Sequence, residues 1–211
     1  MNRITTMGTY ITDLEMHFIF SSNHLKAGGL VVDVGANAGR FSIPAAEVAR
    51  VVAIDLDLHA LKRLRLQNQD VDVVVADARF IPIRDYVADN VVMIELLDCV
   101  IGSEEPISEC SRVLKKDGVF FLSFGNKSSL KGKLKSFLGK PYLHSYKEIL
   151  AVLKAEKFKS VRKLGFNWLP FDRISNSPLV PLLAKGERFL GLRRIVRFSP
   201  WVIIQAVKVG G

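Results

Sequence analysis

The sequence predicts an α/β fold in which a doubly wound, mostly parallel sheet of seven strands carries helices on both faces. Two observations favour this fold. Short apolar runs alternate with helical patterns along residues 31–124, which is typical of a parallel sheet. The first apolar run leads into a glycine-spaced turn and then a helical pattern, the usual entry to such a sheet.

The apolar runs and helical patterns follow one another at short spacing. The predicted strands are Val31–Val34, Val51–Ile54, Val71–Ala76, Asn90–Leu97, Val119–Phe124, Ser160–Phe166 and Trp201–Lys208. The predicted helices are Phe41–Ala49, Leu58–Gln67, Glu104–Leu114 with Ser103 as N-cap, and Ser145–Lys157. We expect a turn at Lys116-Asp117-Gly118 and an irregular or partly helical segment over Pro170–Ser199.

The turn after the first strand reads Asp33-Val34-Gly35-Ala36-Asn37-Ala38-Gly39. Gly35 and Gly39 allow a tight turn and a close approach of backbone to a ligand. Asp33 comes at the exit of a buried strand, where an unpaired carboxylate costs several kcal/mol, roughly. A ligand that carries positive charge is one candidate partner.

Two more acids, Asp55 and Asp77, follow the second and third strands. Ligands of open α/β sheets bind outside the carboxyl ends of the strands, where all three acids are expected to meet. Asp55 lies 20 residues after Gly35, a spacing that suits contact with ribose hydroxyls. Leu56 can cover one face of a purine. Asp77 and Ala78 can hydrogen-bond an adenine, so we favour a nucleoside site over three unrelated turn residues.

The glycine pattern argues against a dinucleotide. A nicotinamide dinucleotide fold uses G-x-G-x-x-G, whereas the frame here is Gly35-Ala36-Asn37-Ala38-Gly39-Arg40, which lacks two of the three glycines. Asp33 would also place a negative charge near the position that the diphosphate of a dinucleotide would occupy. S-adenosylmethionine has no phosphate and carries a sulfonium, so it suits this turn better.

On these motifs the chain resembles the class I S-adenosylmethionine-dependent methyltransferases, and in pattern the small-molecule type 11 enzymes. The resemblance covers about residues 28–166 and the last strand, and Asn37 replaces the usual middle glycine of the first motif. Further matching motifs are Ala53-Ile54-Asp55-Leu56-Asp57, Ala76-Asp77-Ala78, Ala88–Glu95 and Ile107–Phe124. The resemblance implies a Rossmann-like fold with an antiparallel last strand.

The resemblance also implies a cofactor site. It implies that S-adenosylmethionine is the methyl donor and S-adenosylhomocysteine the product. The implied cofactor-binding residues are Asp33, Gly35, Ala36, Asn37, Gly39, Asp55, Leu56, Asp77, Ala78 and Glu95. Asp33 would lie near the methionine end, Asp55 at the ribose, and Asp77 with Ala78 at the adenine. Glu95 follows the fourth strand, beside the position of methyl transfer.

Catalysis in this family is mostly the positioning of a nucleophile, and a general base is optional. His144 and Glu95 are our candidates for that base, with Asp98 and Tyr146 as alternatives. For His144 a structural role at the entry to the following helix is the alternative that we favour. The sequence shows no spacing typical of a metal site.

The charge is unevenly distributed. Residues 1–125 hold 12 basic and 17 acidic side chains, whereas residues 126–198 hold 17 basic and 4 acidic ones. Such a basic region suggests an anionic substrate, RNA or an anionic membrane surface, or a solvated face without a partner. The sequence lacks an Asn/Asp-Pro-Pro-Tyr/Phe motif after the fourth strand, which argues against methylation of nucleic-acid amino groups.

Within this region, Gly125–Pro141 combines lysines with Leu130, Leu134, Phe137 and Leu138 at helical spacing. Such a segment fits a helix that binds a membrane surface or a lid helix packed over the active site, and we favour the lid. Six aromatic residues either wall an apolar acceptor pocket or belong to the core, which we favour for most: Phe166, Trp168, Phe171, Phe189, Phe198 and Trp201.

The 211 residues are expected to form a single methyltransferase domain. We divide it into an N-terminal helical segment (1–27), a cofactor-binding core (28–124) and a basic substrate-side region (125–211). No signal peptide or transmembrane helix is predicted, and Cys99 and Cys110 are expected to be reduced, partly buried thiols, so we expect a cytoplasmic protein. We therefore predict a methyltransferase for a small-molecule acceptor. The alternatives are an RNA-directed methyltransferase and a non-catalytic nucleoside- or RNA-binding module.

Overall fold

A computed structural model describes residues 5–21, 25, 27–137 and 143–210. Its seven strands form one sheet in the order β3-β2-β1-β4-β5-β7-β6. Strands β1 to β5 pair in parallel, and β7 pairs antiparallel with both β5 and β6. The predicted mostly parallel sheet with an antiparallel last strand is confirmed.

The bounds of most of the predicted elements lie close to those in the structure. The strands are β1 Leu30–Val34, β2 Arg50–Asp55, β3 Val71–Val75, β4 Ala88–Met93, β5 Leu114–Gly125, β6 Phe158–Phe166 and β7 Trp201–Lys208. The α-helices are α1 Thr6–Phe20, α2 Ser42–Ala46, α3 Leu58–Gln67, α4 Glu104–Val113, α5 Leu130–Phe137, α6 Tyr146–Ala155 and α7 Val180–Phe189. Segment 170–199 is partly helical through α7 and two short 3₁₀ turns, as predicted.

The core lies on both faces of the sheet, because successive strand residues point to opposite sides. On β5, Phe121 belongs to the face covered by α1, α2, α3 and α7. Phe120 and Leu122 belong to the face covered by α4 and α6. Helix α6 begins at a capping box in which Ser145 and Glu148 each bond the other's backbone N–H.

Several predicted details are wrong. Lys116-Asp117-Gly118 is not a turn between elements but an irregular part of β5. Leu114 pairs with Ala88 and Val119 with Asn90, so the extra residues bulge out, and Asp117 takes a left-handed φ of 62°.

Two predicted elements are longer than those in the structure. The predictions for one helix cap and one cysteine thiol also differ from the structure. Helix α2 ends at Ala46, before the predicted Ala49, and β4 ends at Met93, before a left-handed Glu95. Ser103 precedes α4, but its side chain makes no capping hydrogen bond. Cys110 is buried, whereas Cys99 is exposed rather than partly buried.

The predicted lid is also wrong for the helix that forms. Leu130, Leu134 and Phe137 of α5 are all exposed instead of packed over a site. Leu138, Lys140 and Pro141 of the same predicted segment lie outside the described residues. In the described part of the chain, no helix has both the length and the apolar character that crossing a bilayer requires.

Candidate functional site

The turn from β1 to α2 depends on backbone conformations that favour glycine. Gly35 and Gly39 have φ angles of 79° and 84°. A Cβ on Gly39 would lie 2.2 Å from Cδ1 of Leu64, and one on Gly35 would lie 2.9 Å from Cδ1 of Leu96. Glycine is therefore needed at both positions for conformation and for space. The backbone N–H groups of Gly35 and Ala36 both donate to the carbonyl of Ile54 on β2.

Asn37 occupies the middle of this turn with a φ of 48°. Asparagine tolerates the left-handed region better than other non-glycine residues. Its side-chain oxygen accepts a hydrogen bond from the N–H of Ala38 at 2.8 Å. Asn37 therefore takes a left-handed conformation of the kind that a glycine adopts readily.

A cavity of about 520 Å³ opens at the carboxyl ends of β1, β2 and β4. This volume is in the range of small-molecule sites, and the place is the one expected for ligands of open α/β sheets. The lining residues are Gly35, Ala36, Asn37, Ala38, Arg40, Phe41, Asp55, Ile94, Glu95, Leu96, Cys99 and Arg173.

Asp55 lies at the β2 side of the cavity and fixes the turn. Its Oδ2 accepts from the N–H of Asn37 at 2.7 Å, and its Oδ1 accepts from the N–H of Asp57 at 2.9 Å. Each carboxylate oxygen has a second lone pair that remains for a ligand. The adjacent Leu56 is 67% exposed, an apolar side chain held in solvent beside the cavity.

Asp33 lies beneath the turn rather than in the cavity wall. It is buried, and its Oδ2 accepts a hydrogen bond of 2.6 Å from the hydroxyl of Ser42. Burial raises the pKa of Asp33 to about 6, although the Ser42 bond and the charge of Arg40 act in the opposite direction. The expected projection of Asp33 into the crevice is therefore not what this structure has.

Asp77 and Ala78 are also outside the cavity lining. The Asp77 carboxylate is held by the guanidinium of Arg79, whose Nη2 lies 2.6 Å from Oδ2. This hydrogen bond lowers the pKa of Asp77. Ala78 is buried. Contacts of these two residues with an adenine stay a prediction.

Arg40, Glu95 and Arg173 line the β4 side of the cavity, and the buried Glu15 lies behind Arg40. We refer to these four side chains as the charged cluster. Arg173 donates to Oε1 of Glu95. Nη1 of Arg40 lies 3.7 Å from the same oxygen and 3.3 Å from Oε2 of Glu15. Sequence reasoning found only Glu95, because the other three lie on α1, the β1–α2 turn and the loop after β6.

Glu15 is the buried member of the charged cluster. It lies on α1, and its Oε1 accepts from the hydroxyl of Ser123 on β5 at 3.3 Å. Burial raises the pKa of Glu15 to about 7, and the charges of Arg40 and Arg173 offset only part of this effect. The cluster therefore changes its net charge near neutral pH.

His144 lies away from this cavity. Its Nε2 is 3.2 Å from the carbonyl oxygen of Leu97, and it lines a separate groove together with Glu104, Glu148 and neighbouring residues. This geometry suits the structural role at the entry to α6. Of the six aromatic residues considered for an acceptor pocket, Phe166 is in the core, whereas Phe189 and Phe198 are exposed.

Comparison with known proteins agrees with the geometry. Residues 32–122 match the family model described as a methyltransferase domain. Over these residues, which are less than half of its length, the chain is similar to methyltransferase domains. The matched residues begin in β1 and end in β5, so they contain the turn, Asp55 and Glu95.

Two curated relatives match about half of this chain. A probable S-adenosylmethionine-dependent methyltransferase of Mycolicibacterium smegmatis is 30% identical over 49% of this chain and 41% of its own length. A ubiquinone biosynthesis O-methyltransferase of Xanthomonas oryzae is 36% identical over 48% of this chain and 45% of its own length. The chain thus spans less than half the length of both relatives.

Among solved structures, a Haemonchus contortus phosphoethanolamine N-methyltransferase with S-adenosylhomocysteine bound has a TM-score of 0.70. The match is 19% identical and covers 94% of this chain and 53% of that one. At this identity the likeness shows the fold.

The residues at the cavity fit the chemistry of S-adenosylmethionine. The cofactor carries a ribose diol, which needs acceptors such as the free lone pairs of Asp55. It also carries an ammonium and a carboxylate, and the charged cluster offers both Glu95 and the two arginines. No group of three or more potential metal ligands occurs within the described ranges.

Proposed function

We propose that this protein transfers a methyl group from S-adenosylmethionine to a small-molecule acceptor. The supporting observation is the cavity of about 520 Å³, which runs from Asp55 at the end of β2, across the glycine turn, to Glu95 at the end of β4. The name of the Xanthomonas relative, a ubiquinone biosynthesis O-methyltransferase, adds support for a small acceptor.

In this proposal the ribose and adenine lie on the β2 and β3 side. Asp55 accepts hydrogen bonds from the ribose hydroxyls while its other lone pairs hold the turn. Leu56 covers one face of the adenine, and Asp77 with Ala78 contacts the edge of the ring. The turn residues Gly35, Ala36, Asn37 and Gly39 place their backbone along the cofactor, above the buried Asp33.

The amino-acid end of the cofactor lies at the charged cluster. Arg40 and Arg173 pair with its carboxylate, and Glu95 pairs with its ammonium. The bound cofactor supplies a methyl group on a positively charged sulfur. The protein contributes by holding the acceptor nucleophile in line with that methyl–sulfur bond, because orientation carries most of the catalysis in such transfers.

Glu95 and His144 are the proposed groups for removal of a proton from the acceptor. Glu95 lines the cavity in which the acceptor is proposed to bind. His144 needs a rearrangement first, since its Nε2 faces the Leu97 carbonyl. Glu95→Gln and His144→Gln separate the two: the true base is the one whose loss removes the pH dependence of the transfer rate.

The test is transfer of a labelled methyl group from S-adenosylmethionine to a fractionated cell extract. We expect label in a ribonuclease-resistant, low-molecular-weight fraction, together with formation of S-adenosylhomocysteine. Asp55→Ala should lower the label at a limiting cofactor concentration about 5-fold or more. Binding of the cofactor without any transfer to a metabolite fraction would contradict the proposal.

RNA-directed transfer is the second candidate, because Lys127, Lys133, Lys185, Arg188, Arg194 and Arg197 are all exposed. Label in a ribonuclease-sensitive fraction would favour it. RNA binding with a steep salt dependence and no turnover would favour a non-catalytic module.

A further inference from the structure

Two chain segments leave the carboxyl edge of the sheet, one after β5 and one after β6. Both expose apolar and basic side chains that have no role in the proposed cofactor site. Strand β6 runs parallel to β5, because both pair antiparallel with β7. Residues 126–137 and 167–200 therefore emerge at the same edge as the cofactor cavity. Lys131 of α5 joins them through hydrogen bonds to the carbonyls of Asn167, Leu169 and Phe171.

Helix α5 presents its apolar side to solvent. Leu130, Leu134 and Phe137 recur at the spacing of one helix face, and Leu130 and Phe137 are each 87% exposed. The opposite face carries Gly132, where an added Cβ would lie 2.1 Å from the carbonyl oxygen of Asn126. The helix thus packs on the protein by its glycine and exposes its leucines and phenylalanine.

Helix α7 has the same arrangement. Its inner face buries Val180 and Glu187, and Glu187 accepts from the hydroxyl of Tyr10 on α1 at 2.8 Å. Its outer face carries Leu182 and Phe189, which is 91% exposed, with the exposed Lys185 between them. Two helices of one edge therefore both turn large apolar residues outward.

Basic residues accompany these apolar side chains. The exposed apolar residues of the two segments are Leu130, Leu134, Phe137, Ile174, Leu179, Leu182, Leu183, Phe189, Leu190, Ile195 and Phe198. The exposed basic residues are Lys127, Lys133, Lys185, Arg188, Arg194 and Arg197. Among the described residues of the two segments, one acidic residue, Asp172, is exposed. We call this set the basic apolar surface.

We infer that the basic apolar surface docks on a bilayer that contains anionic lipids, with the cofactor cavity on the membrane side of the protein. Apolar side chains that penetrate the interface, surrounded by Lys and Arg, match a negatively charged lipid surface in both polarity and charge. RNA offers no apolar phase for eleven such side chains, and a soluble protein partner has no general need for the positive charge.

Vesicle sedimentation tests this inference with the full chain and without cofactor, so its outcome is independent of methyl transfer. We expect the protein to sediment with vesicles of phosphatidylcholine and phosphatidylglycerol in equal parts, and to stay in solution with phosphatidylcholine alone. Failure to sediment with the anionic vesicles would overturn the inference. Binding of a single-stranded RNA, or concentration-dependent dimerisation, without vesicle binding would overturn it as well.

Paired variants locate the contact. The double variant Phe137→Ser, Phe189→Ser should lower vesicle binding about tenfold or more. Leu66→Ser is the matched control, because Leu66 is 85% exposed near the C-terminal end of α3. Arg188→Gln with Arg197→Gln should lower binding about 30-fold, whereas Lys62→Gln with Arg63→Gln on α3 should not. Equal losses in variant and control would refute the assigned surface.

Discussion

Replacing Glu15 by glutamine should change how the stability of the protein depends on pH. Burial raises the pKa of Glu15 from 4.5 to about 7. Between these pH values the folded protein holds the proton of Glu15 more tightly than the unfolded chain does. The contribution of Glu15 to the free energy of unfolding therefore falls as pH rises. At pH 8 a rise of that size lowers the free energy of unfolding by about 3 kcal/mol relative to acidic pH.

The assay is urea denaturation of wild type and Glu15→Gln at several pH values from 4.5 to 8. The variant lacks the ionisable group, so its free energy of unfolding minus that of wild type should become more positive by about 3 kcal/mol over this range. Using the difference cancels the other titrating groups, including Asp33.

Glu148→Gln is the control of opposite sign. A hydrogen bond from the backbone N–H of Ser145 lowers the pKa of Glu148. Ionised Glu148 therefore stabilises the folded state above its unfolded pKa, and this contribution is lost as pH falls. The Glu148→Gln difference should become more negative as pH rises toward about 4.5, and should stay nearly constant above it, where the Glu15→Gln difference changes. A Glu15→Gln difference that stays constant from pH 4.5 to 8 would refute the reasoning about the charged cluster.

Two further changes probe the turn and the cluster. Gly39→Ala should lower the free energy of unfolding by about 2 kcal/mol or more in urea denaturation, because of its positive φ and the overlap with Leu64. Gly28→Ala, also at positive φ but with open space around it, should cost only about 1 kcal/mol. Arg40→Gln leaves buried Glu15 without its ion pair and should cost about 2 kcal/mol at pH 8. The Arg40→Gln loss should be smaller at pH 5, where Glu15 is protonated, and an equal loss at both pH values would contradict the pairing.

The fold was readable from sequence where the pattern is local. The apolar runs of β1, β2 and β7 and the leucine spacing of α3 gave bounds within a residue of the structure. The turn signal Lys116-Asp117-Gly118 misled, because pairing of β5 with β4 on both sides of it absorbs the extra residues as a bulge. The pairing of β5 with β4 thus outweighed the local preference of these residues for a turn between two elements.

The candidate site was readable only where residues follow the sheet directly. Asp55, the glycine turn and Glu95 lie next to strand ends, so the parallel sheet brings them together. Glu15, Arg40 and Arg173 come from segments far apart in the chain, and nothing in their local sequence indicates that they meet. Asp33 was expected in the crevice, but the hydroxyl of Ser42, nine residues later, holds it beneath the turn.

The outward orientation of the apolar faces of α5 and α7 also could not be predicted from the sequence. Helical spacing of Leu130, Leu134 and Phe137 identifies one face of a helix but does not say whether that face meets the protein or the solvent. The close approach of Gly132 to Asn126 decides this, and it depends on the tertiary fold.

Calorimetric titration of S-adenosylmethionine into wild type, Asp55→Ala and Asp57→Ala tests the central claim most directly. Asp57 also accepts backbone N–H bonds at the end of β2, where it caps α3, so its variant controls for loss of such bonds. We predict that wild type and Asp57→Ala bind alike, and that Asp55→Ala binds more weakly by ~1–3 kcal/mol. Unchanged affinity in Asp55→Ala would contradict the cofactor site described at the carboxyl edge of β2.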